Sequence, residues 1–286
     1  MCGICGFLSR SPLSEDLLTD MIDTIRYRGP DDRGVYLDRR PDGLQIGLAH
    51  RRLAILDLSA NGHQPMQSED GGVVLVFNGE IYNFQELRKE LEQKGHVFST
   101  KTDTEVLVHG YEAWGTALTE RLRGMYAFAI WDNRKELLYI ARDKWGIKPL
   151  YYYDTPKSFL FASEIKAFLD HPDFRKELNE NILSAYLCFN STPTEETFFK
   201  NVYQLEPGHQ LVLQNGTLSV SEFFTLEMEE SSAPYDAEQT AEAIGAAMKS
   251  SVYYHGFADV EVGGFLSSGI DSSFLVSLAR PEKTFT

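Results

Sequence analysis

Apolar positions along this chain fall mostly into short runs, with only a few helical stripes between them. Cys2 to Leu8 is a short, apolar, glycine-punctuated stretch that predicts a buried strand. Ser14 predicts the N-cap of a helix on which Leu17, Leu18, Met21, Ile22 and Ile25 recur at helical spacing. Arg28-Gly29-Pro30-Asp31 ends that helix in a loop. Residues 44–49 and 73–77, rich in aliphatic and β-branched side chains, predict strands. Asn83 with Glu86, and Thr102 with Glu105, predict capping boxes, the first opening a helix that stops at Gly95 and the second a helix to Trp114. Four β-rich runs follow at 125–131, 137–141, 150–153 and 159–162. Connections as short as Asp132-Asn133-Arg134-Lys135 favour antiparallel neighbours, because a parallel crossover needs about a dozen residues or more. The pattern predicts antiparallel sheet, compatible with two sheets covered by helices.

After about Leu205 the character changes. Residues 210–220, with Asn215-Gly216 at their centre, predict a hairpin. An acidic stretch at 227–230 and Ser231-Ser232-Ala233-Pro234 read as a linker. Asp236 predicts the cap of an alanine-rich helix to about Tyr254, residues 260–266 a strand, and 267–273 a loop entering a helix to Ala279. Helix, strand, loop and helix in that order belong to a parallel α/β domain. One such unit cannot bury its own sheet, so it reads as the opening of a larger domain. The expected division is 2–205, then a hairpin and linker at 206–235, then 236–286.

Composition narrows the setting. No run of about 18 apolar residues occurs, and MCGICGFLSR lacks a basic n-region and apolar h-region, so neither a membrane span nor a secretory signal is expected. The expected location is the cytoplasm. Lys and Arg total 27 against 42 Asp and Glu, a net charge of −15, which repels a phosphate backbone and makes nucleic acid a poor partner. Nucleotide binding stays open, since backbone N–H groups hold phosphate locally. Three cysteines are too few for a disulfide framework.

Cys2 is the first candidate for chemistry. Removal of Met1, expected before a small second residue, leaves a thiol and an α-amine on one residue. The amine titrates at about 7.7–8.0 and the thiol near about 8.5, so the amine can serve as the thiol's base. Cys2-Gly-Ile-Cys5 also fits Cys-x-x-Cys, a redox or half-zinc signature, but a second such pair is absent and only Cys188 and scattered histidines could complete a zinc site.

A series of motifs then occurs in order: Met1-Cys-Gly-Ile-Cys-Gly6, Arg28-Gly-Pro-Asp31, Leu48-Ala-His-Arg-Arg-Leu-Ala54, Gly62-His-Gln-Pro-Met66, Asn78-Gly-Glu-Ile-Tyr-Asn83 and Thr102-Asp-Thr-Glu-Val106. Gly124-Met-Tyr-Ala-Phe-Ala-Ile-Trp-Asp132, Ala141-Arg-Asp-Lys-Trp-Gly-Ile-Lys-Pro-Leu-Tyr-Tyr152 and Phe161-Ala-Ser-Glu-Ile-Lys166 complete it. Together they resemble the glutaminase domain of glutamine-hydrolysing asparagine synthetase. The resemblance implies an α+β fold, the four-layer αββα sandwich of N-terminal-nucleophile hydrolases, followed by the beginning of a doubly wound α/β domain. It implies Cys2 as nucleophile, with Asn78 and Gly79 as oxyanion donors. It implies Arg52, the arginine directly before Leu53, as clamp for the substrate carboxylate, a role suited to a two-pronged guanidinium. Glu80 and Asp103 match carboxyl groups near the substrate ammonium. A hairpin turn at Asn78-Gly79 and a dipole-favoured Asp103 are the plainer readings.

Ser267-Ser-Gly-Ile-Asp-Ser-Ser273 resembles the pyrophosphate loop of ATP pyrophosphatase domains, implying ATP contacts from Ser267, Ser268, Gly269, Asp271 and Ser272, with Asp271 acting through Mg²⁺. The family loop has glycine where this chain has Ser268, which fits only if the backbone φ there is negative. The resemblance implies glutamine, aspartate and ATP as substrates, ATP and Mg²⁺ for the synthetase reaction and no cofactor for the glutaminase; a homodimer is compatible with it. The competing readings are a stand-alone glutaminase or pseudo-synthetase, another amidotransferase with the same front half, and a Cys-x-x-Cys metal or redox module.

Overall fold

The computed structural model describes residues 1–228 and 235–286. They group into two compact units, Met1–Ala54 with Ser59–Thr225 and Ile55–Leu58 with Leu226–Thr286. The expected linker at 227–234 lies mostly outside the described residues.

The first unit runs β1 (Gly3–Ser9), α1 (Glu15–Asp23), β2 (Asp32–Arg39), β3 (Gln45–Arg52), β4 (Met66–Gln67), β5 (Val73–Ile81), α2 (Phe84–Gln93), α3 (Thr104–Trp114) and α4 (Leu118–Arg121). Then come β6 (Gly124–Asp132), β7 (Leu137–Arg142), β8 (Tyr151–Asp154), β9 (Ser158–Ala162), α5 (Leu183–Phe189), β10 (Val202–Gln204), β11 (His209–Gln214) and β12 (Thr217–Glu222). Two sheets form, ordered β10-β8-β9-β1-β3-β2 and β12-β11-β7-β6-β5-β4. All their pairings are antiparallel.

Strand periodicity builds the layers. Ile4 and Leu8 of β1 enter a core between the sheets with Ile46, Leu48, Val74, Val76, Ala129 and Trp131. Cys5 and Phe7 face the other way, onto Leu18, Met21 and Ile22 of α1. Burial on both faces is why β1 reads as one continuous apolar run. On the opposite side α3 packs on β5 and α2 packs on α3. The succession of α1, sheet, sheet and α2 with α3 is the expected αββα sandwich.

Local signals fared unevenly. Ser14 caps α1, its Oγ accepting from Leu17 N–H at 3.2 Å. Asn215 and Gly216 both take positive φ, and the hairpin they turn extends the second sheet through β11 and β7. Of the two expected capping boxes, the second forms by half: Glu105 N–H donates to Thr102 Oγ1 at 3.4 Å, while the Glu105 carboxylate accepts from Ser99 and Thr100 N–H instead of closing the box. The first does not form, since Asn83 bonds to the backbone of Arg121 and Arg123.

The second unit contains α6 (Ala237–His255), β13 (Gly264–Phe265), α7 (Ile270–Ala279) and β14 (Thr284–Phe285). Asp236 caps α6, accepting from Glu238 and Gln239 N–H groups. The strand expected over 260–266 shortens to Gly264–Phe265, because only these residues find a partner, the parallel β14. Among the described residues no helix is long and apolar enough to cross a membrane.

Candidate active site

The alternation that sends Ile4, Leu48 and Val76 into the inter-sheet core also assigns the inner face to Cys2, Arg52, Asn78 and Glu80, which have the same parity on β1, β3 and β5. They gather at one end of the sandwich. The antiparallel pairing of Gly3 with Arg51 sets Cys2 against the end of β3, where Leu53 N–H donates to Cys2 Sγ at 3.4 Å. Across the sheets, His50 Nε2 donates to the Phe77 carbonyl at 3.0 Å, the residue before Asn78. Burial pushes His50 down to about 3, so its ring is neutral and the bond is a fixed strut.

Asn78 is the informative side chain. It is 1% exposed, yet neither its Nδ2 nor its Oδ1 has a hydrogen-bond partner. A buried donor left unsatisfied costs about 1–3 kcal/mol, so the Asn78 amide is available to a polar partner. Gly79 follows because space demands it: a Cβ there would lie 2.3 Å from the Met125 carbonyl oxygen of β6.

The two neighbouring arginines diverge. Arg51, on the outer face, pairs with Asp23 of α1 at 2.6 Å. Arg52 is buried; its Nη1 donates to the Ser59 carbonyl at 2.7 Å, and its guanidinium lies against Gly62, where a Cβ would sit 1.9 Å from Nη2. Asp103 precedes α3 but does not cap it. Its carboxylate accepts from Ile81 N–H at 2.8 Å, which aims it at the end of β5. Burial pushes Asp103 above the usual carboxylate range, against its backbone hydrogen bonds and the Arg52 charge. Glu80 is pushed up further, by burial and then by the Asp103 charge. Two carboxylates that raise each other's pKa favour a cation beside them.

Lys148 belongs to the same electrostatic cluster, and sequence reasoning did not single it out. It is 4% exposed; burial lowers its pKa, while the charges of Glu80 and Cys2 raise it. The loop before it is held rigidly. Asp143 accepts from the N–H groups of Trp145, Ile147 and Lys148, and Arg142 donates to the Lys148, Gly146 and Leu205 carbonyls.

Other motif residues frame Cys2. Arg28 donates from Nε to the Cys2 carbonyl at 2.9 Å and from Nη1 to Glu164 at 2.9 Å. Gly29 permits its loop to cross β3 at a distance no side chain allows, a Cβ falling 2.4 Å from the Arg51 carbonyl. Ser163 exchanges hydrogen bonds with the Ile4 backbone. Burial raises the Cys2 thiol, opposed first by the Leu53 N–H. With Met1 attached, that thiol has no amine of its own. Cys2 and Cys5 sit on opposite faces of β1 and Cys188 is exposed, so the Cys-x-x-Cys spacing does not converge on a metal.

In the second unit the loop 267–273 enters α7 through Gly269, with Ser267 and Ser272 hydroxyls 2.7 Å apart. Ser268 is not among the positive-φ residues, so serine is tolerated there. The first turn of α7 has no side-chain cap, which leaves its N–H groups open to an anion.

Residues 1–224 match the family model of the glutamine amidotransferase domain, and residues 243–286 match that of asparagine synthase. The chain is similar to asparagine synthetase [glutamine-hydrolyzing] 1 of Bacillus subtilis, 38% identical over 98% of this chain and 44% of that protein. It is also similar to putative asparagine synthetase [glutamine-hydrolyzing] 2 of Methanocaldococcus jannaschii, 33% identical over 98% of this chain and 57% of that protein. The chain thus spans about half the length of these relatives. In fold it resembles the glutamine phosphoribosylpyrophosphate amidotransferase of B. subtilis, with a TM-score of 0.57 at 18% identity over 99% of this chain and 65% of that one. Through the match over residues 1–224, the chain belongs to the glutamine amidotransferase domain family.

Proposed function

We propose that residues 2–205, with the hairpin of 206–225 completing their second sheet, form a glutaminase working through Cys2, and that the whole protein is a glutamine-dependent asparagine synthetase whose second domain begins at 236–286. One observation carries the glutaminase reading: Asn78 is buried with both polar atoms unpaired, on the inner face that also receives Cys2. An amide oxygen that gains charge on thiolate attack would supply its missing partner.

The chemistry follows from the residues. Once Met1 is removed, the α-amine of Cys2 takes the thiol proton and the thiolate attacks the side-chain carbonyl carbon of glutamine. Asn78 Nδ2 and Gly79 N–H hold the oxyanion. Its collapse expels ammonia, protonated by the same amine, and leaves a thioester that water hydrolyses to glutamate. Arg52 grips the α-carboxylate, with its guanidinium already oriented by Ser59 and Gly62. Glu80 and Asp103 receive the α-ammonium, which relieves the repulsion that raises both. Arg51 is committed to Asp23, which favours Arg52 as the clamp.

In the second unit, Ser267, Ser268, Gly269 and Ser272 would hold the pyrophosphate of ATP at the open end of α7. Asp271, an acidic side chain in the first turn, would hold Mg²⁺, which would offset phosphate charge. The ammonia would amidate aspartate activated by ATP. A cytoplasmic setting and a homodimer fit this reading.

The test is Asn78→Ala assayed for glutamate release. Loss of one oxyanion donor costs about 3 kcal/mol, a fall of about 100- to 1,000-fold in kcat with KM little changed. An unchanged kcat would remove Asn78 from the mechanism.

A further inference from the structure

We propose a divalent transition-metal site of the zinc class on the outer helical layer of the first unit, formed by His96, His109 and Glu112. Three donor atoms converge there. His96 Nδ1 and His109 Nδ1 are 3.2 Å apart, His109 Nδ1 and Glu112 Oε2 3.2 Å, and His96 Nδ1 and Glu112 Oε2 3.8 Å. A point equidistant from the three lies about 2.0 Å from each, the length of a zinc–imidazole or zinc–carboxylate bond. The ring centroids are 4.9 Å apart with planes at 49°.

The sequence builds this triangle from two directions. His109 and Glu112 lie three residues apart on α3, hence on one face. His96 arrives from the end of α2, where Gly95 takes φ +95° and turns the chain back, His96 N–H bonding to the Leu91 carbonyl. Surrounding groups aim the donors. Arg134 holds Glu112 Oε1 at 3.3 Å, leaving Oε2 for the histidines. Beyond His109, whose buried Nε2 has no hydrogen-bond partner, stand Glu105 at 3.8 Å and Glu69 at 3.7 Å. Glu105 is itself fixed by Ser99 and Thr100. The side chains of His96 and Glu112 are partly exposed, which opens the donors to solvent. The ion would tie the end of α2 to α3, whose first residue follows Asp103, and leave a fourth position for water. Without metal, the same contacts need one proton on His109 shared between His96 and Glu112.

The chain, stripped with chelator, is titrated with Zn²⁺ against a chromophoric competitor and melted with and without Zn²⁺. We expect one zinc per chain and a higher Tm with metal. His96→Ala and Glu112→Ala should each weaken binding by more than about 100-fold, beyond what loss of a mere orienting group costs, while Cys2→Ser and Cys188→Ser leave it unchanged. The Co²⁺ form should show d–d bands without thiolate charge transfer. No stoichiometric binding, binding untouched by both ligand variants, or binding lost in the cysteine variants would overturn the proposal and leave the shared-proton arrangement.

Discussion

Replacing Arg52 and Arg51 separately by alanine discriminates sharply between a substrate clamp and a structural ion pair one residue away. Arg52 is 7% exposed, and its guanidinium is placed by the Ser59 carbonyl and by Gly62 before any substrate arrives. Its loss would remove a charge-assisted, two-pronged contact to the α-carboxylate, worth roughly 2–4 kcal/mol in kcat/KM, a fall of about 30- to 1,000-fold carried mainly by KM. Arg51 pairs at 2.6 Å with an Asp23 side chain that is 36% exposed. Pairs of that kind contribute about 0–1 kcal/mol of stability, so Arg51→Ala should lower Tm slightly and leave kcat/KM within about threefold. Glutamate release across a glutamine series, with a thermal melt of each variant, reads both quantities. Equal kinetic losses in the two variants would refute the assignment.

Further outcomes concern charge and space. Because Glu80 and Asp103 are pushed above the usual carboxylate range, the acid limb of kcat/KM should lie above that range too. Lys148→Met should move the limb to higher pH, since the Lys148 charge lowers Glu80; an unmoved limb would separate Lys148 from the site. The folded state holds protons on this pair that the unfolded chain releases. Its stability should therefore fall as pH rises from the carboxylate range toward neutrality, and glutamine bound to an inactive Cys2→Ser variant should blunt the slope in melts across that window. Gly79→Ala, with its Cβ 2.3 Å from a backbone oxygen, should destabilise the fold by about 1–3 kcal/mol by denaturant titration, and an unchanged midpoint would contradict the packing account.

The legible parts of the fold were those where burial imposes a period. Residues of β1, of β5 through β7 and of β9 are mostly apolar because both faces of these strands are covered, and the runs stand out without further help. β2 did not: Asp32-Arg33-Gly34 and Asp38-Arg39 break the pattern of a sheet-edge strand. The short α5 carries no cap signal, having no side-chain hydrogen bond at its start. Asn83 has the right spacing for a capping box, but its side chain is claimed by the distant Arg121 and Arg123 backbone, which spacing cannot show; Thr102 does cap Glu105 N–H. In the candidate site, strand parity alone places Cys2, Arg52, Asn78 and Glu80 on inner faces. Lys148 comes from a loop whose path depends on the Asp143 and Arg142 hydrogen bonds, and His96 meets His109 only through the turn at Gly95.

The central claim is that Cys2, freed of Met1, is the nucleophile. Intact mass followed by peptide mapping, after exposure to a glutamine-like electrophile, tests it directly. The account predicts a chain that begins at Cys2 and carries one adduct on that residue, with the buried Cys5 and the exposed Cys188 unmodified. Full glutaminase activity in a chain that retains Met1, or an adduct on another cysteine in place of Cys2, would contradict it.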